Sequence, residues 1–493
     1  ESGDLAELSR IPEGSETFAA IRSGTDTRIG ANCSYYDECF VTRMRKAAED
    51  ARIVVVNHHL FFADLALRSG PRGAFASAIC PYDHVIFDEA HQLEDIVSDT
   101  CGFELSAGRF QNLARAVRAI LDDPASVDEV EASASAISRV LAEEVGRRLK
   151  GAGVPEIDEQ LVLARGRLDR VATALRKIPD DAAEDVKNRK DRALQLTGHL
   201  QADLALAVAV PETSVAWVEG PESNPRLRVA PLDVAELLRE KLWDAGPVVL
   251  TSATLPPGMA DRLGLEPGDH EAIDVGSPFD YEHNGLLYCA MHLPDPRDGG
   301  YEAAVHEELL ALITAAGGRT LGLFTSYRAM DAAIEALRDR LPGPLLSQRD
   351  MPKPALVAAF ADDPATSLFA TMGFWQGIDV PGSTLSLVTI DRLPFPRPDE
   401  PLLQARREQA KADAFRTIDL PRTATMLAQG AGRLIRSQAD RGVVAVLDPR
   451  LAKAKSYRWT LLEALPPFPR SKDRAEVEAF LRTIDAEASA AGQ

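Results

Sequence analysis

The sequence predicts an α/β protein with mainly parallel sheets, more than one domain and a helical insertion. At 493 residues the chain is too long for a single hydrophobic core, so we expect two to four domains. Short apolar runs bounded by turn residues alternate with helical patterns, and this alternation is typical of parallel sheets. Between about residues 105 and 235 the pattern is helical instead, which predicts a separate subdomain.

The composition is that of a soluble globular protein, since 45% of the residues are hydrophobic and 26% are charged. No apolar run approaches the roughly 20 residues needed to cross a bilayer, and we find no signal peptide, so we expect a cytoplasmic protein. The five cysteines are not spaced as a disulfide framework, which agrees with a reducing compartment. The net charge of -20 argues against a basic coat that binds nucleic acid but allows a local basic groove.

The first elements follow in order from hydrophobic patterning. Residues 44–50 predict a short helix, and an apolar run at 53–56 precedes His58 and His59. Adjacent histidines point to different sides of the backbone and make poor joint metal ligands, so we expect them in a loop at the edge of a cleft. A helix at 61–67 then leads through a Gly-rich loop to an apolar strand at 85–87.

Residues 105–235 contain amphipathic helices joined by Pro-Asp and Gly turns. Apolar side chains recur on one helical face in two stretches, namely Phe110, Leu113, Ala114, Val117, Ile120 and Leu121, and then Leu161, Ala164, Leu168, Val171 and Leu175. Periodicity alone also allows a coiled-coil arm. Two short strands at 215–219 and 227–231 and a helix at 234–242 lead back to the first domain.

The remaining chain predicts a second α/β domain. After a strand that begins at Val248, the next strands are expected at 286–289, 320–324, 367–370, 384–390 and 443–447. Helices alternate with them, as at 303–316 and 328–341, so the sheet should be mainly parallel. An Ala- and Glu-rich helix follows Lys472.

The strand at 85–87 ends in two adjacent carboxylates, Asp88 and Glu89, followed closely by His91. Ligands of open α/β sheets bind beyond the carboxyl ends of the strands, so this acidic pair should face a cleft. One carboxylate can hold a nucleotide's Mg²⁺ through its water shell, while the second orients or deprotonates the attacking water. We assign the first role to Asp88 and the second to Glu89. An ordinary strand followed by a charged helix cap is the alternative.

Three further stretches follow downstream in a fixed order: 248–255, a strand ending in hydroxyls; 373–382, which contains Gly377 and Asp379; and 429–436, which leads into a strand. Together with the acidic strand they resemble the helicase motifs of superfamily 2, and specifically the iron-sulfur DinG/XPD-like DNA helicases. The resemblance covers nearly the whole chain.

The resemblance implies two RecA-like domains, a helical arch insertion and a remnant of an N-terminal iron-sulfur domain. The expected bounds are 1–50 for the remnant, 51–104 with 236–262 for the first RecA-like domain, 105–235 for the arch and 263–493 for the second RecA-like domain. It further implies hydrolysis of ATP with Mg²⁺ and movement along single-stranded or forked DNA, 5′ to 3′, in repair or replication. We expect a monomer in the cytoplasm, at the bacterial nucleoid.

Gln429, Arg433 and Arg436 are spaced i, i+4 and i+7, which predicts one helix face. An arginine there can bind a γ-phosphate from the far side of a cleft, as an arginine finger does. Removing an arginine finger lowers the rate on the order of 10³-fold or more. The alternative is a surface Arg pair on an ordinary helix.

The hydroxyls of Ser252 and Thr254 could relay between the acidic motif and the DNA side, although a capped strand end would use the same residues. By resemblance, Gly377 and Asp379 couple the nucleotide state to the grip on DNA.

Four residues are candidates for DNA contact: His58, Ser326, Tyr327 and Trp375. Aromatic rings that stack on bases contribute about 1–3 kcal/mol each. Such rings also serve as ordinary core residues, which is the alternative for Tyr327 and Trp375.

Two features of the family are incomplete in this sequence. No Gly-Lys dipeptide occurs anywhere, so the phosphate loop that cradles ATP is absent, and we expect this chain to be a fragment whose loop lies upstream. Cys33 and Cys39 resemble the last two of four cysteines that bind a 4Fe-4S cluster, but Arg28 stands where another is expected. Two thiols in a domain that has lost its cluster are the alternative.

Two rival functions remain. One is a catalytically silent DNA-binding or scaffolding protein that keeps the fold. The other is a nuclease, which we rank lower because no acidic cluster of that kind occurs in these residues.

Overall fold

The computed structural model describes residue 17 and residues 35–68, 78–149, 154–179, 183–371 and 385–491. Its strands are β1 Val85–Phe87, β2 Phe103–Ser106, β3 Arg148–Leu149, β4 Ser214–Glu219, β5 Arg226–Pro231, β6 Val248–Leu250, β7 Gly285–Cys289, β8 Thr320–Phe324, β9 Leu345–Ser347, β10 Ser367–Thr371, β11 Leu387–Ile390, β12 Gly442–Val446 and β13 Arg470–Ser471.

Helices connect most of these strands. They are α1 Phe40–Asp50, α2 His58–Arg68, α3 Leu93–Thr100, α4 Ala107–Arg118, α5 Pro124–Ala142, α6 Pro155–Arg176, α7 Glu184–Val208, α8 Ala235–Lys241, α9 Met259–Arg262, α10 Tyr281–Asn284, α11 Tyr301–Ala315, α12 Tyr327–Leu337, α13 Lys353–Asp362, α14 Pro401–Ala410, α15 Leu420–Ala431, α16 Arg450–Lys453, α17 Arg458–Ala464 and α18 Arg474–Ala491. Within the ranges described, no helix is both long enough and apolar enough to cross a membrane.

The chain forms two compact units. The first unit comprises Glu1–Asp88, Gln92–Leu250 and Arg262–Leu265, and the second comprises Glu89–His91, Thr251–Asp261 and Glu266–Gln493. The chain therefore passes from the first unit to the second directly after the acidic strand and again after β6.

The first unit contains a two-stranded parallel sheet in which β1 pairs with β6, so that Ile86 lies opposite Val249. Phe87 is buried against the rings of Phe61 and Phe62, at 5.0 and 5.6 Å between ring centroids. Ile86 and Val249 are 71% and 51% exposed, which is unusual for large apolar side chains in a parallel sheet.

The predicted helical region packs four helices, α4 to α7, with a four-stranded antiparallel sheet of order β2-β5-β4-β3. The apolar faces expected from the periodicity lie in one shared core, where Leu113, Leu161, Leu168 and Leu175 are all at most 1% exposed. Ile120 and Leu121 follow the last turn of α4 and pack at the margin of this core. The region therefore has its own hydrophobic core.

The second unit is built on a seven-stranded sheet of order β13-β7-β12-β11-β8-β10-β9. Every pairing in it is parallel. Strands β7, β8, β10, β11 and β12 are buried along their whole length, because apolar clusters lie on both faces of the sheet. Continuous apolar strands of this kind are what a parallel sheet between helical layers requires.

The predicted α/β class with mainly parallel sheets is confirmed, whereas several details differ. The prediction missed the short strands β2, β3, β9 and β13, which carry too few residues to show a period of two. His58 and His59 open helix α2 and do not lie in a loop, because the Asn57 side chain accepts a hydrogen bond of 2.8 Å from the backbone N–H of Leu60. Helix α12 ends at Leu337, four residues before the predicted end.

Candidate functional site

The acidic motif turns sharply directly after β1. Glu89 has a φ of 50°, in the left-handed region that a non-glycine residue rarely occupies, at a cost of about 1–3 kcal/mol. The next residue, Ala90, is buried, and its backbone N–H donates to the carbonyl oxygen of Thr251 at 2.9 Å. Asp88 and Glu89 both remain exposed, so the turn presents two carboxylates to solvent.

The His91 imidazole joins three of the predicted motifs within the second unit. Its side chain is 7% exposed, and its Nδ1 lies 2.9 Å from Ser252 Oγ and 3.4 Å from Glu89 Oε2. Its Nε2 is in hydrogen-bond contact with Nε2 of Gln429. The acidic motif, the strand that ends in hydroxyls and the Gln429 segment therefore meet at one ring.

The hydrogen bonds around His91 are consistent with a single tautomer. Ser252 Oγ donates to the carbonyl oxygen of Thr254 at 2.9 Å, which leaves its lone pairs to accept from Nδ1–H of His91. Nε2 of the neutral ring then accepts from the side-chain amide of Gln429. The chain of donors runs in one direction, from Gln429 through His91 and Ser252 to the backbone of Thr254.

Two buried polar atoms near this chain of donors could take up a ligand. Among the residues that the structure describes, Gln429 Oε1 and Thr254 Oγ1 are buried and have no hydrogen-bond partner. Buried polar groups are satisfied in most folded proteins, so these two atoms need an explanation such as a ligand or ordered water. The Gln429 oxygen is an acceptor, and the Thr254 hydroxyl can both donate and accept.

Arg433 and Arg436 do not continue the helix that carries Gln429, so the predicted single helix face is wrong. Helix α15 ends at Ala431, and the backbone N–H of Arg433 donates to the carbonyl oxygen of Gly430 at 3.3 Å in a turn. Arg436 follows two buried residues, and its backbone N–H donates to Asp440 Oδ2 at 2.8 Å. The helix therefore ends before Arg433, and the next two residues, Leu434 and Ile435, are buried.

Arg433 lies close enough to Lys353 for the two positive charges to interact. Burial lowers the pKa of the Lys353 ammonium, and the positive charge of Arg433 lowers it further. Two cations held near one another in the same unit are suited to an anionic ligand such as a phosphate.

In the first unit, His58 packs the edge of its ring against Phe87, with 5.7 Å between centroids. Burial lowers the pKa of His58, the neighbouring His59 lowers it further, and Asp88 opposes both effects. His58 is therefore a half-buried imidazole beside the acidic strand.

Ser326 and Tyr327 follow β8 and have different surroundings. Ser326 Oγ accepts from the backbone N–H of Ala329 at 3.2 Å, so this side chain caps helix α12. Tyr327 is 50% exposed, and the Arg349 guanidinium lies 4.6 Å from its ring centroid.

Sequence reasoning missed Asp391, which is buried at the end of β11. Its carboxylate accepts from the backbone N–H of Thr325 at 2.8 Å, from the Thr325 hydroxyl at 3.2 Å and from the backbone N–H of Arg392 at 2.7 Å. Burial raises its pKa to about 7. An acidic residue directly after an apolar strand is the signal that drew attention to Asp88, and it could have identified Asp391 as well.

Four predicted site residues, Cys33, Trp375, Gly377 and Asp379, lie outside the described residues. Cys39 precedes the first residue of α1. In the ranges that can be described, no three His, Cys, Asp or Glu side chains gather to hold a metal, so the iron-sulfur cluster has no support there. Asp88 and Glu89 do fit a nucleotide-bound Mg²⁺, because exposed carboxylates are its preferred protein ligands and phosphates and water supply the rest of its shell.

Comparison with known proteins supports the resemblance. The helicase C-terminal domain family matches residues 309–468. The chain is 40% identical over 512 residues to the ATP-dependent helicase DinG of Mycobacterium tuberculosis, covering 98% of this chain and 74% of that protein. It is 34% identical to the ATP-dependent DNA helicase YoaA of Escherichia coli K12, covering 97% of this chain and 77% of that protein.

The likeness extends to solved structures. One named XPD helicase aligns with a TM-score of 0.53 and 19% identity, covering 79% of this chain and 68% of that one. At that identity the likeness concerns the fold alone. The order of the motifs, their meeting at His91 and the relatives at 34–40% identity lead to one conclusion: the chain belongs to the DinG/YoaA family of superfamily 2 helicases, which share the XPD-like fold.

Proposed function

We propose that the protein is an ATP-dependent DNA helicase that moves along single-stranded DNA. The observation that carries the proposal is the His91 imidazole, which holds Ser252 and Gln429 and lies 3.4 Å from Glu89. A network of this kind connects the Glu89 carboxylate to the motifs that contain Ser252 and Gln429. A change at the nucleotide would therefore affect all three motifs. The relatives named as ATP-dependent helicases support the same activity.

Asp88 and Glu89 take the roles assigned from the sequence. Asp88 would hold Mg²⁺ through its water shell, and the ion would neutralise charge on the phosphates during transfer. Glu89, whose side chain is 48% exposed, orients the attacking water and accepts its proton. Glu89 has a left-handed backbone conformation, and its Oε2 lies 3.4 Å from His91 Nδ1.

Gln429, Arg433 and Arg436 also act on the nucleotide. The unsatisfied Oε1 of Gln429 accepts a hydrogen bond from water or nucleotide, while its amide nitrogen contacts His91 Nε2. Arg433 and Arg436 bind phosphate oxygens, and the neighbouring charge of Lys353 reinforces this preference for anions. Ser252 and Thr254 relay between this site and the DNA side, and Gly377 and Asp379 couple the nucleotide state to the grip on DNA.

The remaining parts of the proposal concern architecture and biology. We assign 51–104 with 236–262 and 263–493 to two RecA-like domains, 105–235 to an arch and 1–50 to the remnant of an iron-sulfur domain. Movement is 5′ to 3′, on single-stranded or forked DNA, by a monomer in the cytoplasm that acts in repair or replication. Cys33 and Cys39 are the two cysteines that resemble cluster ligands, and Arg28 stands at an expected ligand position, so the ligand set in this sequence is incomplete.

The first test is ATP hydrolysis by the full-length native protein, with and without single-stranded DNA. We expect stimulation by DNA, a loss of at least about 100-fold in kcat for Glu89→Gln, and a loss on the order of 10³-fold for Arg433→Ala. Glu143→Gln, which changes an exposed carboxylate on the helical region, serves as the control and should behave as wild type.

Unwinding of duplexes with a 5′ or a 3′ overhang then tests direction. Binding to DNA without any ATP hydrolysis would favour the catalytically silent rival and remove the roles given to Glu89 and Arg433. Unwinding from the 3′ overhang alone would contradict the proposed direction but leave the helicase assignment in place.

A further inference from the structure

Tyr327 and Arg349 form an exposed stacked pair at the carboxyl ends of β8 and β9. The Arg349 guanidinium carbon lies 4.6 Å from the Tyr327 ring centroid, and its Nη2 is 3.2 Å from Asp331 Oδ2. Asp331 is four residues after Tyr327 on the same helix, so it holds the guanidinium above the ring. The side chain of Arg349 is 57% exposed and that of Asp331 49%.

The backbone beneath Tyr327 is firmly held. Ser326 caps the helix that begins at Tyr327, and the Thr325 backbone N–H and hydroxyl both donate to the buried Asp391 carboxylate. The Tyr327 ring itself is half exposed and can turn about its χ angles. The guanidinium contact restrains this rotation.

The backbone beneath Arg349 is held equally well. Its N–H donates to Ser347 Oγ at 3.2 Å, and the preceding Gln348 donates its N–H to the Phe369 carbonyl at 3.1 Å. Gln348 Oε1 also accepts from the backbone N–H of Thr371 at 2.7 Å, at the end of the strand that lies between β8 and β9. Both partners therefore stand on the fixed edge of the sheet, where open α/β sheets bind their ligands.

We propose that Arg349 is a positioning residue that holds the Tyr327 ring as a stacking surface for one base of single-stranded DNA. The proposal rests on the proposed helicase function and adds Arg349 to its DNA-contacting residues. The Arg349 guanidinium lies over the half-exposed Tyr327 ring, so it can support the ring while the exposed part stacks on a base. Its positive charge would also suit the phosphate next to that base. A lysine in its place would retain the charge but lose the plane.

The test measures the affinity of the full-length protein for an oligonucleotide of single-stranded DNA with one 2-aminopurine. We expect Tyr327→Ala, Arg349→Ala and Arg349→Lys each to raise Kd by at least about fivefold, the lower end of the effect of losing one stacked base. Quenching of 2-aminopurine fluorescence on binding should be lost in all three. Arg340→Ala removes the same charge from an exposed arginine paired with Glu307 and should bind as wild type.

The double variant Tyr327→Ala/Arg349→Lys should bind no more weakly than Tyr327→Ala alone. Arg349 acts through the Tyr327 ring, so its substitution has no further effect once that ring is removed. Arg349→Lys retains a positive charge that can pair with Asp331, so it replaces Arg349→Ala as the test variant if the alanine variant fails to fold. The proposal would be overturned if Arg349→Lys binds with wild-type affinity, or if the increases in Kd of the two single variants multiply in the double variant. If the protein still shows DNA-stimulated ATP hydrolysis, either result leaves the proposed function intact. A wild-type protein that binds no single-stranded DNA would overturn this proposal and the proposed function together.

Discussion

His91 Nδ1 lies 2.9 Å from the Ser252 hydroxyl, and this contact joins the acidic motif to the strand end at residue 252. The same hydroxyl donates to the Thr254 carbonyl, so it can only accept from the ring. The proton of the neutral imidazole is thereby placed on Nδ1, and Nε2 is left to accept from Gln429. The Ser252 hydroxyl thus determines the donor-to-acceptor direction of the hydrogen bonds on both sides of the His91 ring.

Ser252→Ala should slow ATP hydrolysis more than it weakens the fold. Loss of one hydrogen bond costs about 0.5–1.5 kcal/mol of stability. Without Ser252, however, the His91 ring can adopt the other tautomer, and this would change its contacts with both Glu89 and Gln429. We expect kcat to fall by about tenfold or more, since a positioned proton-transfer network contributes about 10²–10⁴-fold. Ser135→Ala, which removes an exposed hydroxyl bonded to its own helix, is the matched control. Equal kcat values in the two variants would show that the serine only ends the strand.

Asp391→Asn should remove one component of the pH dependence of stability. Burial raises the pKa of Asp391 to about 7, from an ordinary value of 3.8 that applies in the unfolded chain. The folded protein then binds more protons than the unfolded chain between these two values. Its free energy of unfolding therefore falls as pH rises through this window, by at most about 1.4 kcal/mol per pH unit, and levels off above about pH 7.

Urea unfolding of wild type and Asp391→Asn at several pH values measures this component. Asparagine retains an oxygen that can accept from the Thr325 and Arg392 backbone N–H groups and does not titrate. The variant should gain stability relative to wild type as pH rises from about 4 to 7. The exposed acid Asp339 supplies the control, since the difference between Asp339→Asn and wild type should not change with pH. A constant difference for Asp391→Asn as well would mean that this carboxyl titrates normally.

Leu168→Ala should destabilise the helical region. Leu168 is 0% exposed in the core shared by α4 to α7, and truncation of such a residue costs about 2–5 kcal/mol. Leu163 lies on the same helix and is 45% exposed, so Leu163→Ala should change stability by less than about 1 kcal/mol. Thermal unfolding followed by circular dichroism compares the two. Similar melting temperatures would contradict the packing of α6 described above.

The chain as printed should bind the dye ANS or aggregate. Ile86 and Val249 are 71% and 51% exposed on paired strands, and Ile53 and Val55 are 83% and 91% exposed. Exposed apolar side chains in a patch bind ANS and favour association. Replacing Ile86 and Val249 with threonine should reduce the ANS fluorescence. A monodisperse protein that melts cooperatively and binds no dye would contradict this expectation.

The sequence alone determined the features that depend on neighbours along the chain. The apolar runs at 320–324 and 367–370 predicted buried strands because a strand covered on both faces must be apolar throughout. The spacing of Leu161, Leu168 and Leu175 predicted a buried helix face for the same local reason. The carboxylates after Val85–Phe87 were predicted to follow the end of a strand, and they do, because the motif and the strand are contiguous in sequence.

Only the tertiary structure decided the features that depend on distant partners. The order of the seven strands brings β8, β10 and β9 side by side, and this places Arg349 over Tyr327 although 22 positions of sequence separate them. Helix α15 ends at Ala431, before Arg433, and Leu434 and Ile435 are buried after it, although the spacing of Gln429, Arg433 and Arg436 predicted one continuous helix. The raised pKa of Asp391 likewise follows from its burial beneath loops that only the folded sheet brings together.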